Sequence, residues 1–468
     1  AQHPGDEWFV QAVSLAAGIS LRPDGPAHHG RALYLLPGPD GTVAAEPADS
    51  LFVSGRLVEV VQSAAGFGLV KEHQSDYFQS GQHSNTMHLG EWILRWRLNT
   101  GLLRGITFGK WLRLLGENRF SVDARYWPRA AVITGVSLFN STAAVAERVL
   151  YQRSIDRAPI QPLLLILGAP RSGTTMLHQI LAHDGRFAYP NFFNVYNPST
   201  FLLTERILSR LLAPLLSGKR MQDNVSLTMD TPDETERATA LLSVRAVDMA
   251  WYFHGREGHY GRYATFEEAG EAELRQWEEA LLHFYRKLSW HHRRPLVVKS
   301  PFDMGRLRIL TRLFPSARYV HICRHPYPVV QSTIRTYGMV RNLAPLRNDR
   351  EPFTDQDLES MVVARYRRLT RNYLRDRDLI PPGHLAEIRY EDFIRDPLNH
   401  LERVYDELSL PDFGGVRETY RDYLATLRDY QTTRHPPIPD RLRDRINTEC
   451  ADCFEQWGYP MTTEPSGG

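Results

Sequence analysis

Leu163-Leu-Leu-Ile-Leu-Gly168-Ala-Pro-Arg171-Ser-Gly173-Thr-Thr175 decides the fold. Its apolar run does not alternate, which is the pattern of a strand covered on both faces. Gly168 ends the run, a Gly/Ser/Thr-rich turn follows, and Met176, Leu177, Ile180 and Leu181 take up helical spacing. The unit is a strand over 160–167, a phosphate loop and a helix over 173–183. Backbone N–H groups of such a turn, with a helix N-terminus behind them, form a site for phosphate or sulfate.

Downstream, the chain alternates in the same way. Short apolar segments at 295–299, 318–323 and 385–389 read as strands, and 305–314, 326–337, 357–377 and 397–408 read as helices. Further helices are expected at 201–213, 267–289 and from about 236 to 253. This pattern gives an α/β fold, a parallel sheet flanked by helices. Ligands bind such sheets at the carboxyl ends of the strands. Gly168, Lys299 and Arg324 all stand at or just past strand ends, so they are expected on one rim.

The 468 residues allow three regions: an appended stretch over 1–90, a helical region over 91–155 that packs on the core, and the main domain over 156–468. In the first, Trp8 to Ala16 offers an apolar helix face. Segments 31–36 and 42–45 flank the turn Pro37-Gly-Pro-Asp-Gly41 as a hairpin, and Gly66, Gly68 and Gly81 mark loops. A formal net charge of +2 gives no electrostatic basis for nucleic-acid binding. Three cysteines form no disulfide framework and suit a reducing, cytoplasmic setting. Cys450-Ala-Asp-Cys453 lacks the four ligands of structural zinc, so two half-buried thiols are the preferred reading. No secretory signal is expected, because Asp6 and Glu7 stand where a basic segment belongs. The run 131–139 is too short for a membrane span. Peripheral membrane contact through the basic 102–115 stretch is weighed against packing on the core, which is preferred. Oligomeric state is left open.

The loop Gly168-x4-Gly173-Thr174-Thr175 has the spacing of a nucleotide phosphate loop, with Thr174 in place of the lysine. No apolar strand ends in a magnesium-holding Asp of the NTPase kind. Arg171 supplies positive charge inside the loop.

At these residues the sequence resembles the sulfotransferases that use 3'-phosphoadenosine 5'-phosphosulfate (PAPS). Pro170–Thr175 is similar to their 5'-phosphosulfate loop. Phe314-Pro-Ser-Ala-Arg318-Tyr-Val-His-Ile-Cys-Arg324-His-Pro326, with Ser332 eight residues after Arg324, is similar to their 3'-phosphate element. Asp230-Thr-Pro-Asp-Glu234-Thr-Glu236, Lys299-Ser-Pro301, Arg389-Tyr-Glu-Asp392 and Gln456-Trp-Gly-Tyr459 extend the likeness over roughly 100–460. The resemblance implies PAPS as co-substrate, adenosine 3',5'-bisphosphate as product, no metal, and a hydroxyl acceptor on a small molecule, lipid or glycan. It implies that Arg171, Ser172, Gly173, Thr174, Thr175, Arg324 and Ser332 bind the nucleotide. Arg171 and Lys299 would neutralise the leaving phosphate and the sulfonate.

A base must take the acceptor proton. Many relatives carry a histidine four positions after the lysine of Lys-Ser-Pro; here Asp303 stands there. Glu234, Glu236 and His254 are the other candidates, with Glu236 slightly ahead of Asp303. Each has a blander role: Glu234 and Glu236 at a helix N-terminus, Asp303 as a helix cap, and the aromatic run before His254 as core. The competing functions are an ATP-dependent kinase or NTPase with a variant loop, and a nucleotide-binding protein that has lost catalysis.

Overall fold

The computed structural model describes strands within residues 34–88, and residues 98–212, 228–427 and 437–462. The chain divides into two compact units, Ala1–Asn99 with Ala124–Arg129, and Thr100–Asp123 with Ala130–Gly468. The helical residues placed in a separate 91–155 region therefore belong mostly to the second unit.

The first unit holds an antiparallel pair of β1 (Tyr34–Pro37) and β2 (Val43–Glu46). It also holds an antiparallel sheet of β3 (Ser50–Val53), β4 (Arg56–Ser63), β5 (Gly66–His73) and β6 (Met87–His88). Gly66 and Gly68 thus lie in a strand and not in a loop. Val61 pairs with Leu69 and Gln62 with Phe67, so Gly68 is the extra residue of a bulge. The helix read at 8–16 lies outside the described residues.

The second unit includes α1 (Phe108–Glu117) and, from Ala130 on, α2 (Trp127–Arg157). Leading into α2, the stretch Ala124–Arg157 holds an 18-residue window of mean hydropathy 1.2, long and apolar enough to cross a membrane by length and composition. Counting consecutive apolar residues finds only 131–139. It misses this window because Ser, Thr, Asn and Gly interrupt the run without adding charge.

The central sheet has four parallel strands: β7 (Leu163–Leu167), β8 (Leu296–Lys299), β9 (Arg318–Cys323) and β10 (Leu385–Arg389), in the order β10-β9-β7-β8. Every residue of β7 and β8 is buried. Between and after the strands come α3 (Thr174–Leu181), α4 (Phe201–Leu212), α5 (Thr235–Ser243), α6 (Glu271–His292), α7 (Leu307–Leu313), α8 (Pro326–Arg341), α9 (Asp355–Asp376), α10 (Pro397–Glu407), α11 (Arg417–Thr426), α12 (Asp440–Glu449) and α13 (Ala451–Trp457). Ile166, Val320 and Ile388 pack with Leu177 and Ile180 of α3 and Leu401 and Val404 of α10 in one apolar cluster. Each such side chain contributes about 1.5–3 kcal/mol of burial.

Two helices differ from the sequence expectation. The helix expected to reach 253 stops at Ser243, where Val244 takes a left-handed conformation at φ 58°, and a 3-10 turn over Val247–Trp251 follows. The helix expected from 305 starts at Leu307, behind a 3-10 turn at Asp303–Arg306. Cys450 and Cys453 are free and fully buried.

The strand order reverses beside β7. β7 pairs with β8 on one side and β9 on the other, and its loop leaves the sheet next to the loop after β9. In parallel sheets this reversal opens a crevice at the carboxyl edge.

Candidate active site

The loop between β7 and α3 is held in a shape few residues tolerate. Gly173 has φ 106°, and a Cβ there would lie 2.5 Å from the Tyr390 ring. Arg171 also has positive φ, at 72°. The turn aims the first N–H groups of α3, which have no partner within the helix, at the crevice. These features fit an anionic group: a cradle closed to any side chain, a helix N-terminus, and two guanidinium groups close by.

Arg171 Nε donates to Ser332 Oγ at 2.9 Å, and Arg324 Nη1 donates to the carbonyl of Arg171 at 3.4 Å. Thr333 Oγ1 donates to the carbonyl of Pro170 at 3.3 Å. Arg324 lies over the Tyr390 ring, 4.2 Å from its centre. The structure therefore brings the loop and the Arg324–Ser332 element together, although 153 residues separate Arg171 from Arg324. Tyr390 is a contributor that spacing did not reveal: it floors Gly173 and supports Arg324. Arg171, Gly173, Thr174, Thr175, Arg324 and Ser332 line one cleft of about 1200 Å³. Ser172 is buried beneath the loop.

Lys299, at the end of β8, is almost completely buried. Its Nζ donates to Glu234 Oε1 at 2.5 Å and to Thr175 Oγ1 at 3.4 Å. The lysine thus links the phosphate loop to a carboxylate on the cleft wall. Glu234 stands at the N-cap position of α5, yet its side chain makes no cap hydrogen bond. Asp233 takes over locally: its Oδ1 accepts from the Glu234 N–H at 2.8 Å and from Arg237 Nε at 3.2 Å. This leaves the Glu234 carboxylate to Lys299 and, at 3.7 Å, Arg237.

The other base candidates are placed differently. Glu236 is 1% exposed, and Arg306 grips both its oxygens, Nη1 to Oε2 at 2.6 Å and Nη2 to Oε1 at 3.0 Å. Ser300 adds a bond to Oε2 at 3.0 Å. The carboxylate is saturated inside the protein and does not line the cleft. Asp303 also lies off the cleft and caps no helix; the residue before α7 is Arg306. Burial pushes its carboxyl up to about 7, against the pull of Arg306. His254 is buried, with Nε2 on the carbonyl of Arg341 at 2.9 Å, and burial holds its pKa below the usual value. Asp248, which no motif marks, does line the cleft, and burial raises it to about 7.

Asp303 carries a pH prediction. Its folded pKa lies above its ordinary 3.8. The folded state therefore takes up a proton that the unfolded state releases between about pH 4 and 7, and stability falls as pH rises through that window. Asp303→Asn removes this loss. Its urea midpoint is expected to match wild type at about pH 3 and exceed it at about pH 8. Equal differences at both pH values would exclude a neutral Asp303.

Residues 162–414 match the sequence profile described as Sulfotransferase family. Two curated relatives are the omega-hydroxy-beta-dihydromenaquinone-9 sulfotransferases Stf3 of Mycobacterium bovis and Mycobacterium tuberculosis. Each is 31% identical over 377 residues, which is 80% of this chain and 96% of the relative. The crystal structure of sulfotransferase STF9 from Mycobacterium avium superposes with a TM-score of 0.56 at 16% identity, covering 76% of this chain and 97% of that one, and so shares the fold. The chain belongs to the sulfotransferase family. It is an enzyme of sulfonate transfer with a PAPS-type co-substrate, and the kinase and non-catalytic readings fall away.

Proposed function

We propose that this enzyme moves the sulfonate of PAPS to a terminal hydroxyl of a lipid-like acceptor, with Glu234 as the base. The bond from Lys299 to both Glu234 and Thr175 carries the reading, because it sets a carboxylate next to the phosphosulfate loop. The acceptor hydroxyl gives its proton to Glu234, its oxygen forms a bond to sulfur, and the bond from sulfur to the 5'-phosphate oxygen breaks. Adenosine 3',5'-bisphosphate leaves. Arg171, Lys299 and the α3 N-terminus stabilise the charge that gathers on the leaving oxygen, and the cleft walls hold the groups in line. Arg324 and Ser332 hold the 3'-phosphate.

A lipid-like acceptor is supported by the two relatives, whose name states a hydroxylated menaquinone, and by apolar side chains such as Met176, Phe302, Leu398 and Leu424 along the cleft. The cleft exceeds the roughly 300–1,000 Å³ of common ligand pockets, which leaves room for donor and acceptor together. The three unpaired thiols support a reducing, cytoplasmic setting.

The test is transfer of labelled sulfonate from PAPS to a panel of ω-hydroxylated prenyl quinols, long-chain alcohols, sterols and sugars. Transfer to sugars alone would overturn the acceptor class. In calorimetry without magnesium, Arg324→Ala is expected to weaken adenosine 3',5'-bisphosphate by about 10- to 150-fold, the worth of a charged hydrogen bond. Ser332→Ala is expected to weaken it by about 2- to 12-fold, a neutral one. Unchanged binding by Arg324→Ala would place the 3'-phosphate elsewhere.

A further inference from the structure

Helix α2 is fastened to the second unit along one side only. Trp111 Nε1 of α1 donates to Thr134 Oγ1 at 2.9 Å. Asn140 Nδ2 donates to the carbonyls of Arg104 and Ile106 at 2.9 and 3.0 Å. Glu147 pairs with Lys287 of α6 and accepts from the Leu203 N–H of α4 at 3.1 Å.

The opposite side of the helix is apolar and open. Ala131, Leu138, Phe139, Val145, Val149 and Leu150 are exposed, from 49% at Leu138 to 80% at Val149 among the larger ones. The spacing follows one helical face, drifting slowly along it. From Ala131 to Leu150 the stripe runs about 28 Å at 1.5 Å per residue. Only 28% of the apolar window in this helix is buried, so packing inside the protein does not account for its composition.

Basic groups border the far half of this stripe. They are Arg148, Arg153 and Arg157, exposed on α2; Arg206 and Arg210 are exposed on α4, which meets the tied side of α2 through Glu147. Across these two segments the exposed acid is Asp156, and Gln152 donates to it at 2.7 Å. An apolar strip with arginines at its edge is the pattern of a helix lying in a membrane interface, apolar side among the upper acyl chains and cations among anionic headgroups.

We propose that this face of α2 docks the enzyme on an anionic lipid bilayer. The helix does not cross it, because the bonds at Thr134, Asn140 and Glu147 tie its other side to the protein. A contact between two copies is disfavoured by the same arginines, since a two-fold interface would face two cationic patches with each other. The inference rests on this surface and not on the acceptor assignment. It also moves the membrane contact from the basic 102–115 stretch to α2. In α1, Trp111 and Leu114 are buried, so much of the apolar face of that stretch is already used.

The test is co-sedimentation of the full chain with vesicles of phosphatidylcholine alone and of phosphatidylcholine mixed with phosphatidylglycerol. Wild type is expected to bind the mixed vesicles at least about tenfold more tightly, since each interfacial arginine is worth about fivefold near an anionic surface. The binding should weaken as salt rises. Phe139→Glu with Val149→Glu is expected to abolish sedimentation. Calorimetric binding of adenosine 3',5'-bisphosphate by the same variant should stay at the wild-type level, which shows that the variant is folded. Wild type that stays in the supernatant would overturn the proposal, as would equal vesicle binding by the variant. A lipid-free dimer that the variant dissociates would assign the stripe to a second copy. Accessibility of a cysteine placed by Val149→Cys to a water-soluble thiol reagent, lost on adding mixed vesicles, supports docking. Blocked labelling in the lipid-free enzyme would show that another part of the chain covers the stripe and would overturn it. Failure of the lipid acceptor panel leaves these outcomes untouched, so the two readings fail separately.

Discussion

Glu234→Gln is expected to lower the rate of sulfonate transfer by about 100- to 10,000-fold, the range for losing a general base. The affinity for adenosine 3',5'-bisphosphate should stay near wild type, while the urea midpoint should fall because buried Lys299 loses its counter-charge. Glutamine keeps the length of the side chain and an oxygen for Lys299 Nζ, which now sits 2.5 Å from the carboxylate. What it loses is the ability to accept a proton. Glu234 is partly exposed on the cleft wall but Lys299 is buried, so the change removes the counter-charge of a buried cation and leaves it only the amide oxygen as an acceptor. Kinetics in the two-substrate regime with the acceptor found in the panel, set beside calorimetry, checks both halves. A variant with wild-type turnover would remove Glu234 from the chemistry and direct attention to Asp248, another carboxyl lining the cleft.

Glu236 should behave in the opposite way. Glu236→Ala or Arg306→Ala strands a charge in the interior, and breaking such a pair costs about 3–5 kcal/mol. Both side chains are close to fully buried, and Arg306 also donates to the carbonyls of Ala264 and Tyr263 at 3.2 and 2.7 Å. Urea unfolding reads the loss directly. Replacing the pair with Glu236→Leu and Arg306→Met together is expected to recover part of it, because neither charge is then left alone. If Glu236→Ala keeps wild-type stability but loses turnover, the carboxylate has a chemical role after all.

Two glutamates in one short motif thus receive different fates, and their spacing does not separate them. Both stood in Asp230-Thr-Pro-Asp-Glu234-Thr-Glu236 as candidates, with Glu236 the favoured one. At a helix start, residues two apart point about 200° from each other. One side chain therefore meets the cleft and the other meets the interior, but which does so depends on where α5 packs. Asp303 shows the same limit. Its place four residues after Lys299 marks it as a candidate, while the 3-10 turn that buries it is set by the packing around Arg306.

The strand edges, by contrast, were legible. The β9 and β10 segments, 318–323 and 385–389, were read at their observed bounds. β7 was read three residues early, because Ile160 and Pro162 extend the apolar composition without joining the ladder. Strands covered on both faces leave uninterrupted apolar runs, and the glycine or charge after each run marks its end. The bulged strand at Gly66–His73 was hidden because glycines read as loops when no partner strand is known.

By itself, the sequence determined the α/β class, the glycine-bearing loop after β7 and the cations Arg171, Lys299 and Arg324 near strand ends. Each of these follows from local spacing: a turn needs its glycine and an apolar run needs its cover. Only the tertiary structure decided that Arg171 meets Ser332, that Lys299 selects Glu234 and not Glu236, and that one face of α2 stays open. These depend on which surfaces a packed core leaves uncovered, and that is fixed by contacts between residues far apart in the chain.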